Sequence, residues 1–350
     1  MGKCFVVADF GQGKTKLSAY RKEEGKTVLF SGAVYDTPKG GFADPEMLQM
    51  FSVWLEKLAV KRGDLFAVLP VDEKFVLEGE ADYPMGSSKE IAGIIKNNIA
   101  TFIPEETEQY HYDWRLVESY PSGHGHFQIA AVRKAEMDVM HEIAERKHLK
   151  LCFADITGNA LENLALLLRS DKKYGLNTSE DAIALVDVGA RNSHIIVLSK
   201  DRVIENVSVG HDLYRMDKII MSTLGDLKAD KTIIPELLKL NPSYTEKVSQ
   251  YDNFLDMAAT DIIRLIKQAV SGENRYRLST VYFSGGLYKM PQLVSRIKES
   301  FGTPCFAYPL GDFVTVDTGC IACETRKPAP VADIFATSFG ALMGGMENAK

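Results

Sequence analysis

The chain has 350 residues, of which 45% are hydrophobic and 25% charged, with a formal net charge of −6. That length and balance suit two domains with substantial cores and leave no reason to expect a long disordered tail. The acidic excess, without any Lys/Arg run, argues against nucleic-acid binding, and no apolar run is long enough to span a bilayer.

The first informative stretch runs from Val6 to Tyr20. Val6, Val7 and Ala8 lead to Asp9, a turn follows at Gly11 and Gly13, and Leu17 and Ala19 then alternate with Lys16, Ser18 and Tyr20. This reads as strand, glycine turn, strand. The tip of such a turn presents backbone N–H groups, including those of Gln12 and Lys14, that can hold an anion. Asp9 can hold a hydrated cation beside it, and Lys16 can place a point charge on a phosphate. Gly13-Lys14-Thr15 looks like the end of a P-loop, but position 8 is Ala8 and the segment that follows alternates with period two. A P-loop must open a helix, so that reading fails.

Asp44-Pro45 then caps a helix marked by Met47, Met50, Phe51, Trp54, Leu55 and Leu58, and Leu65 to Pro70 is a buried strand. Residues from about 71 to 150 read as an inserted β-α-β-β-α module. It contains a capping box at Ser87 and Glu90, a helix face of Ile91, Ile94, Ile95 and Ile99, and an aromatic strand with Tyr110, Tyr112 and Trp114. Ser122 to His126 is expected to be the turn before the returning strand. His124 and His126 there have no third ligand nearby and read as solvated loop residues. Residues 149 to 154 return as a strand, and 159 to 169 form a linking helix.

The opening plan then repeats. Residues 183 to 198 place Asp187, Gly189 and Ser193 at the offsets of Asp9, Gly11 and Thr15, with Ala190, Arg191 and Asn192 in the turn. A repeat spanning half the chain predicts two related lobes, whose facing hairpins would surround one polyphosphate with two aspartates and two N–H-rich turns. Helices are expected over 216–224 and 253–270, and 225–251 remains unplaced. Ser284-Gly285-Gly286 ends an apolar strand, and its glycines allow close approach to a flat ring or ribose. Ala336, Phe339, Gly340 and Gly344 predict a closely packed C-terminal helix. Cys320 and Cys323 form a lone pair whose metal binding stays open. The odd cysteine count, without a signal peptide, points to a reducing cytoplasm.

Taken together, these residues resemble the actin-like ATPase superfamily and, within it, the PilM family of type IV pilus assembly proteins. Asp9, Gly11, Gly13 and Lys16 fit the first phosphate loop. Asp187, Gly189 and Ser193 fit the second, and Ser284-Gly285-Gly286 resembles the adenosine motif. The run from Asn98 to Glu106, leading into Tyr112-Asp113-Trp114, is similar to the 1C subdomain of PilM. The cell-division protein FtsA carries an insertion at a similar place, but it is longer and ends in a membrane-binding helix that has no counterpart here.

The resemblance implies an α/β, two-lobed, actin-like (ribonuclease H-like) fold with an inserted α+β 1C-type subdomain. Its expected division is a first lobe of 1–72 and 151–182, an insert of 73–150, and a second lobe of 183–210 and 276–330. A 2B-like part spans 211–275, and a C-terminal interlobe helix spans 331–350. It also implies an ATP-binding scaffold on the cytoplasmic side of the inner membrane. Mg would be held through water by Asp9 and Asp187. The implied partner is the N-terminal tail of a PilN-like inner-membrane protein; the aromatic strand offers Tyr110, Tyr112 and Trp114 as anchor residues for it, and self-association is possible. Arg191 replaces a second glycine of the phosphate loop. For orienting an attacking water only Asn159 and Glu162 stand in the linking helix, so binding is expected with slow or no turnover. A small-molecule kinase and a filament-forming protein like FtsA remain the alternatives.

Overall fold

The computed structural model describes residues 3–58, 60, 62–71, 76–103, 106–174, 176, 178–211, 213, 245–272, 275–286, 291–317 and 332–348. Strands β1 (Cys4–Phe10), β2 (Lys14–Glu23) and β3 (Lys26–Asp36) form an antiparallel meander. Glu24 and Gly25 alone join β2 to β3, with φ of 49° and 80°. A two-residue loop with both φ positive matches the right-handed twist of the strands it joins. Helix α1 (Pro45–Lys57) starts as expected, with Asp44 accepting from the Glu46 N–H and Pro45 in the first turn. It buries Met47, Phe51, Trp54 and Leu55 on one face of the sheet, and β4 (Gly63–Leu69) then pairs parallel with β1.

The inserted module comprises β5 (Val76–Pro84), α2 (Ser88–Asn98), β6 (Tyr110–Ser119), β7 (His124–Arg133) and α3 (Lys134–Arg146). The Ser87–Glu90 capping box is present in both directions. The turn before β7 is shorter than the glycine content suggests. It spans 120–123, so His124 and His126 lie within β7, where His126 meets Asp82 at 2.7 Å and Glu80 at 3.2 Å across the ladder. The chain returns through β8 (Leu149–Ile156) and α4 (Thr157–Ser170).

Strands β9 (Asp181–Val188), β10 (Asn192–Ser199) and β11 (Val203–Gly210) repeat the opening meander. Helix α5 (Thr245–Val270) begins earlier than the expected start at Asn253; in sequence, Val248 and Tyr251 continue the helical spacing back from Leu255, but the residues around them are polar. Strand β12 (Arg277–Ser284), helix α6 (Pro291–Phe301), the short strands β13 (Cys305–Ala307) and β14 (Thr315–Val316), and helix α7 (Ala336–Asn348) follow. The expected helix over 216–224 and the Cys320, Cys323 pair lie outside the described residues.

The sheets run β14-β3-β2-β1-β4-β8, β11-β10-β9-β12-β13 and, in the module, β5-β7-β6. Apart from β14, the first two have the same order and the same senses: an antiparallel meander followed by two parallel strands. Helices α4 and α7 pack together between them in one shared core, which includes Leu161, Leu164, Leu168, Ile196, Leu198 and Phe339. A side chain at Gly340 would collide with the Ala160 carbonyl of α4, so only glycine permits this helix contact. Among the described residues no helix is long and apolar enough to cross a membrane.

Candidate functional site

The two hairpins aim matching ends at one place. In the first, Asp9 pairs across the ladder with Lys16, whose Nζ lies 3.1 Å from Asp9 Oδ2, the Asp9 side chain being buried and that of Lys16 partly buried. In the second, Asp187 pairs with His194. Asp187 accepts from Ser284 Oγ at 2.8 Å and from Thr337 Oγ1 of α7 at 3.4 Å. Burial holds the Asp9 carboxyl above its ordinary range; Lys16 pulls it back down, and Asp187 pushes it up again. Burial lowers the Lys16 ammonium, but the two carboxylates more than offset that and keep it above its usual value. One ammonium thus bonds to Asp9 and also feels the charge of the buried Asp187 across the meeting of the lobes.

The turns themselves are tight. A Cβ at Gly11 would lie 2.5 Å from the Lys14 carbonyl, and one at Gly189 would lie 2.7 Å from the Asn192 carbonyl. Thr37 braces the first turn: its hydroxyl donates to the Gly11 carbonyl at 2.6 Å and its N–H to Gly13 at 3.1 Å. In the second turn the Gly189 N–H donates to Asn192 at 3.0 Å, the His211 N–H donates to the Arg191 carbonyl at 2.7 Å, and Ser193 Oγ meets His211 Nε2 at 2.8 Å. Ala190 packs against the second lobe's core. Gly285 has φ of +91°, and a Cβ there would come within 2.7 Å of Val188, whereas one at Gly286 would meet open space. Ser284, Gly285 and Gly286 thus lie beside the end of β9.

Not every residue of the two motifs faces this centre. Lys14 is exposed and pairs with Asp36 at 2.5 Å, and Gln12 donates to the Val71 carbonyl at 3.4 Å. Lys16, Asp9 and Asp187 are brought together; Lys14 is turned outward along β2. Sequence reasoning missed Thr37, His211 and Thr337, which lie outside the motifs they support. It also missed His194, although it occupies the position in the second hairpin that Lys16 has in the first. The repeat itself carried that signal.

A second feature lies apart from the hairpins. Strands β6 and β8 are both edge strands of their sheets. A groove of about 770 Å³ opens between them, lined by residues 111–115 of β6 and 153–156 of β8 and floored by Asn159, Asn163 and Glu347 of the interlobe helices. Of the aromatic strand, Tyr110 is buried in the module core under α2, while Tyr112 and Trp114 pack on that core and also line the groove. The Trp114 ring stands nearly edge-on to Phe127 at 5.7 Å. Burial pushes the Asp155 carboxyl in this groove up to about 6, against hydrogen bonds from Asn159 and the Ile156 N–H and the nearby Arg115 charge. Glu162, the candidate water-orienting group, is occupied. Arg115 of β6 grips both its oxygens at 2.9 and 2.7 Å, and Asn206 donates to it at 2.8 Å.

Duplicated sheets of this order, two helices between them and paired Asp-bearing hairpins at their meeting define a protein of the actin-like fold. A family model of the type IV pilus assembly protein PilM matches residues 75–322, and the chain belongs to that family. A solved PilM-PilN type IV pilus biogenesis complex superposes with a TM-score of 0.71 at 15% identity, covering 99% of this chain and 98% of that one. A Bacteroides thetaiotaomicron protein with an actin-like ATPase fold gives 0.49 at 6% identity, covering 87% and 91%. The ethanolamine utilization protein EutJ from Carboxydothermus hydrogenoformans gives 0.48 at 10% identity, covering 98% and 91%. A comparison with curated protein sequences finds no match.

Proposed function

We propose that the chain is an ATP-binding scaffold of a type IV pilus or related secretion assembly. In this reading it works on the cytoplasmic face of the inner membrane and is held there by the tail of a PilN-like partner. The observation that carries the nucleotide half is the Asp9–Lys16–Asp187 constellation at the tips of two duplicated hairpins. Two carboxylates around one ammonium leave a net negative charge, which would repel a bare polyphosphate. The donor set therefore fits a phosphate chain only together with a hard divalent cation, with Asp9 and Asp187 holding Mg through water and Lys16 reaching a phosphate. The turn N–H groups at 11–13 and 190–192 would supply further anion contacts, and the open side of Gly286 suits the adenosine. When bound, Mg would offset phosphate charge; Lys16 and the turns would orient the chain.

Slow turnover, or none, belongs to the same reading. Hydrolysis needs a side chain free to place the attacking water. Glu162 is committed to Arg115 and Asn206; Asn159 donates its amide to Asp155 at 2.9 Å, its carbonyl oxygen is buried without a partner among the described residues, and its side chain lies in the groove rather than among the hairpin tips. The partner half rests on the groove, where two open strand edges allow an extended tail to add backbone hydrogen bonds while Tyr112 and Trp114 offer apolar contact. The volume suits a few peptide residues rather than a folded domain.

Isothermal calorimetry tests the nucleotide half. Mg-ATP should bind, ATP in EDTA should bind much more weakly, and Lys16→Ala should lose on the order of tenfold or more while Lys14→Ala loses little. Equal binding with and without Mg, or no heat at all, would overturn it.

A further inference from the structure

We propose that Glu162 of α4 couples the nucleotide hairpin of the second lobe to the partner groove, so that Mg-ATP and the PilN-like tail alter each other's affinity. This rests on the two sites proposed above and adds the physical link between them. A continuous chain of side-chain hydrogen bonds joins them. His194 Nε2 meets Asn206 Oδ1 at 2.7 Å, Asn206 Nδ2 donates to Glu162 at 2.8 Å, and Arg115 makes a two-pronged contact with the same carboxylate. Arg115 Nε also donates to Gln128, which in turn donates to Glu78 of β5.

The directions are fixed. Glu162 can only accept, so Asn206 must present its amide N–H to it and its carbonyl to the histidine. His194 then carries its proton on Nε2. Burial lowers the His194 pKa against that bond and the nearby Asp187 and Glu162 charges.

The two ends matter. His194 stands opposite Asp187 in the β9–β10 ladder, the position Lys16 has opposite Asp9. The first copy thus sends this side chain to its own aspartate, and the second sends it away toward α4. At the other end, Arg115 lies on the open edge strand that lines the groove. A second tie runs alongside, from Arg202 at the end of the β10–β11 hairpin to Glu118 of β6 at 3.5 Å. A shift of the second hairpin on binding phosphate must therefore either carry Asn206 away from Glu162 or drag α4 and β6 with it. Both change the groove. A partly buried carboxylate that loses a partner is costly, so the link resists slack. Coupling between two ligands is reciprocal by necessity.

The test is calorimetry on the full chain with Mg-ATP and with a synthetic peptide of the N-terminal tail of the PilN from the same genome. Each is titrated alone and then in the presence of saturating amounts of the other. The wild type should show a change of about fivefold or more, equal in both orders of addition. Glu162→Gln and Asn206→Ala, neither of which lines the groove or touches the phosphate turns, should bind each ligand alone within about twofold of wild type and show a ratio near one. A folded variant that keeps the full ratio overturns the proposal, as does a wild type that binds both ligands with no ratio. If one variant does not fold, the other decides. Failure of either ligand to bind the wild type on its own instead strikes at the proposed sites, and takes the coupling with it.

Discussion

At the scale of single residues, the buried ionisable groups make the sharpest predictions. Asp155 holds its proton more tightly in the folded chain than in the unfolded one, because burial raises it from 3.8 to about 6. A raised carboxyl contributes stability that is complete below the unfolded value and is lost as pH climbs through the folded one. Between pH 4 and pH 7 the wild type should therefore lose on the order of 3 kcal/mol through this group alone. Asp155→Asn keeps an oxygen for Asn159 and Ile156 but cannot titrate. Denaturant melts at pH 5 and pH 7.5 should show the variant gaining on the wild type at the higher pH, and an unchanged difference would contradict the burial argument. Lys16→Met makes the opposite kind of change. It strands Asp9 beside Asp187 without a cation, and an uncompensated buried charge costs about 3–5 kcal/mol. Protonation of Asp9 relieves part of that, so the loss measured by urea melts should be larger at pH 8 than at pH 5.

At the scale of elements, the interlobe helices are held together by what is missing from their surfaces. Gly340 sits against the backbone of Ala160, while the nearest atoms to a Cβ at Gly344 are those of the Asn163 side chain, which can turn aside by giving up its hydrogen bond to the Gly340 carbonyl. Gly340→Ala should therefore cost roughly 1–3 kcal/mol through overpacking. Gly344→Ala should cost less, since a side chain rather than backbone has to move, while alanine recovers about 1 kcal/mol of helix propensity at either site. Thermal melts of the two variants order them, and the reverse order would mean the helices have slack. These elements were largely legible. Asp44-Pro45, the Ser87–Glu90 box and the periodic apolar faces each carry a local cause for a helix start or face, and the hairpins alternate cleanly. What escaped the sequence was set by long-range partners. In the first turns of α5 only Val248 and Tyr251 continue the apolar spacing among polar residues, and the turn before β7 closes tighter than its glycines suggest because the ladder with β5 reaches His124 and that with β6 reaches Gly125. Of the candidate site, Asp9, Lys16 and Asp187 could be read because they recur at fixed spacing. Thr337, Arg115 and Asn206 could not, because only the packing of α4 and α7 between the sheets brings them near.

At the scale of the whole molecule, the same strand plan is used twice, and the copies have diverged where they meet the interlobe helices. Lys16 serves the first lobe's aspartate directly, whereas His194 is turned to α4 and the inserted module. In the proposed reading, nucleotide would be sensed through the relative placement of two lobes and reported at the groove between the edge strands β6 and β8. On the same reading both hairpins close on one Mg-ATP. Hydrogen exchange by mass spectrometry, with and without saturating Mg-ATP, reads this closure, because backbone N–H groups that bind phosphate or lie in a closed cleft exchange more slowly. Protection should develop over 9–17 and over 187–195 together and be lost from both in Asp9→Ala. Protection of one hairpin without the other, or of neither despite measured binding, would contradict it.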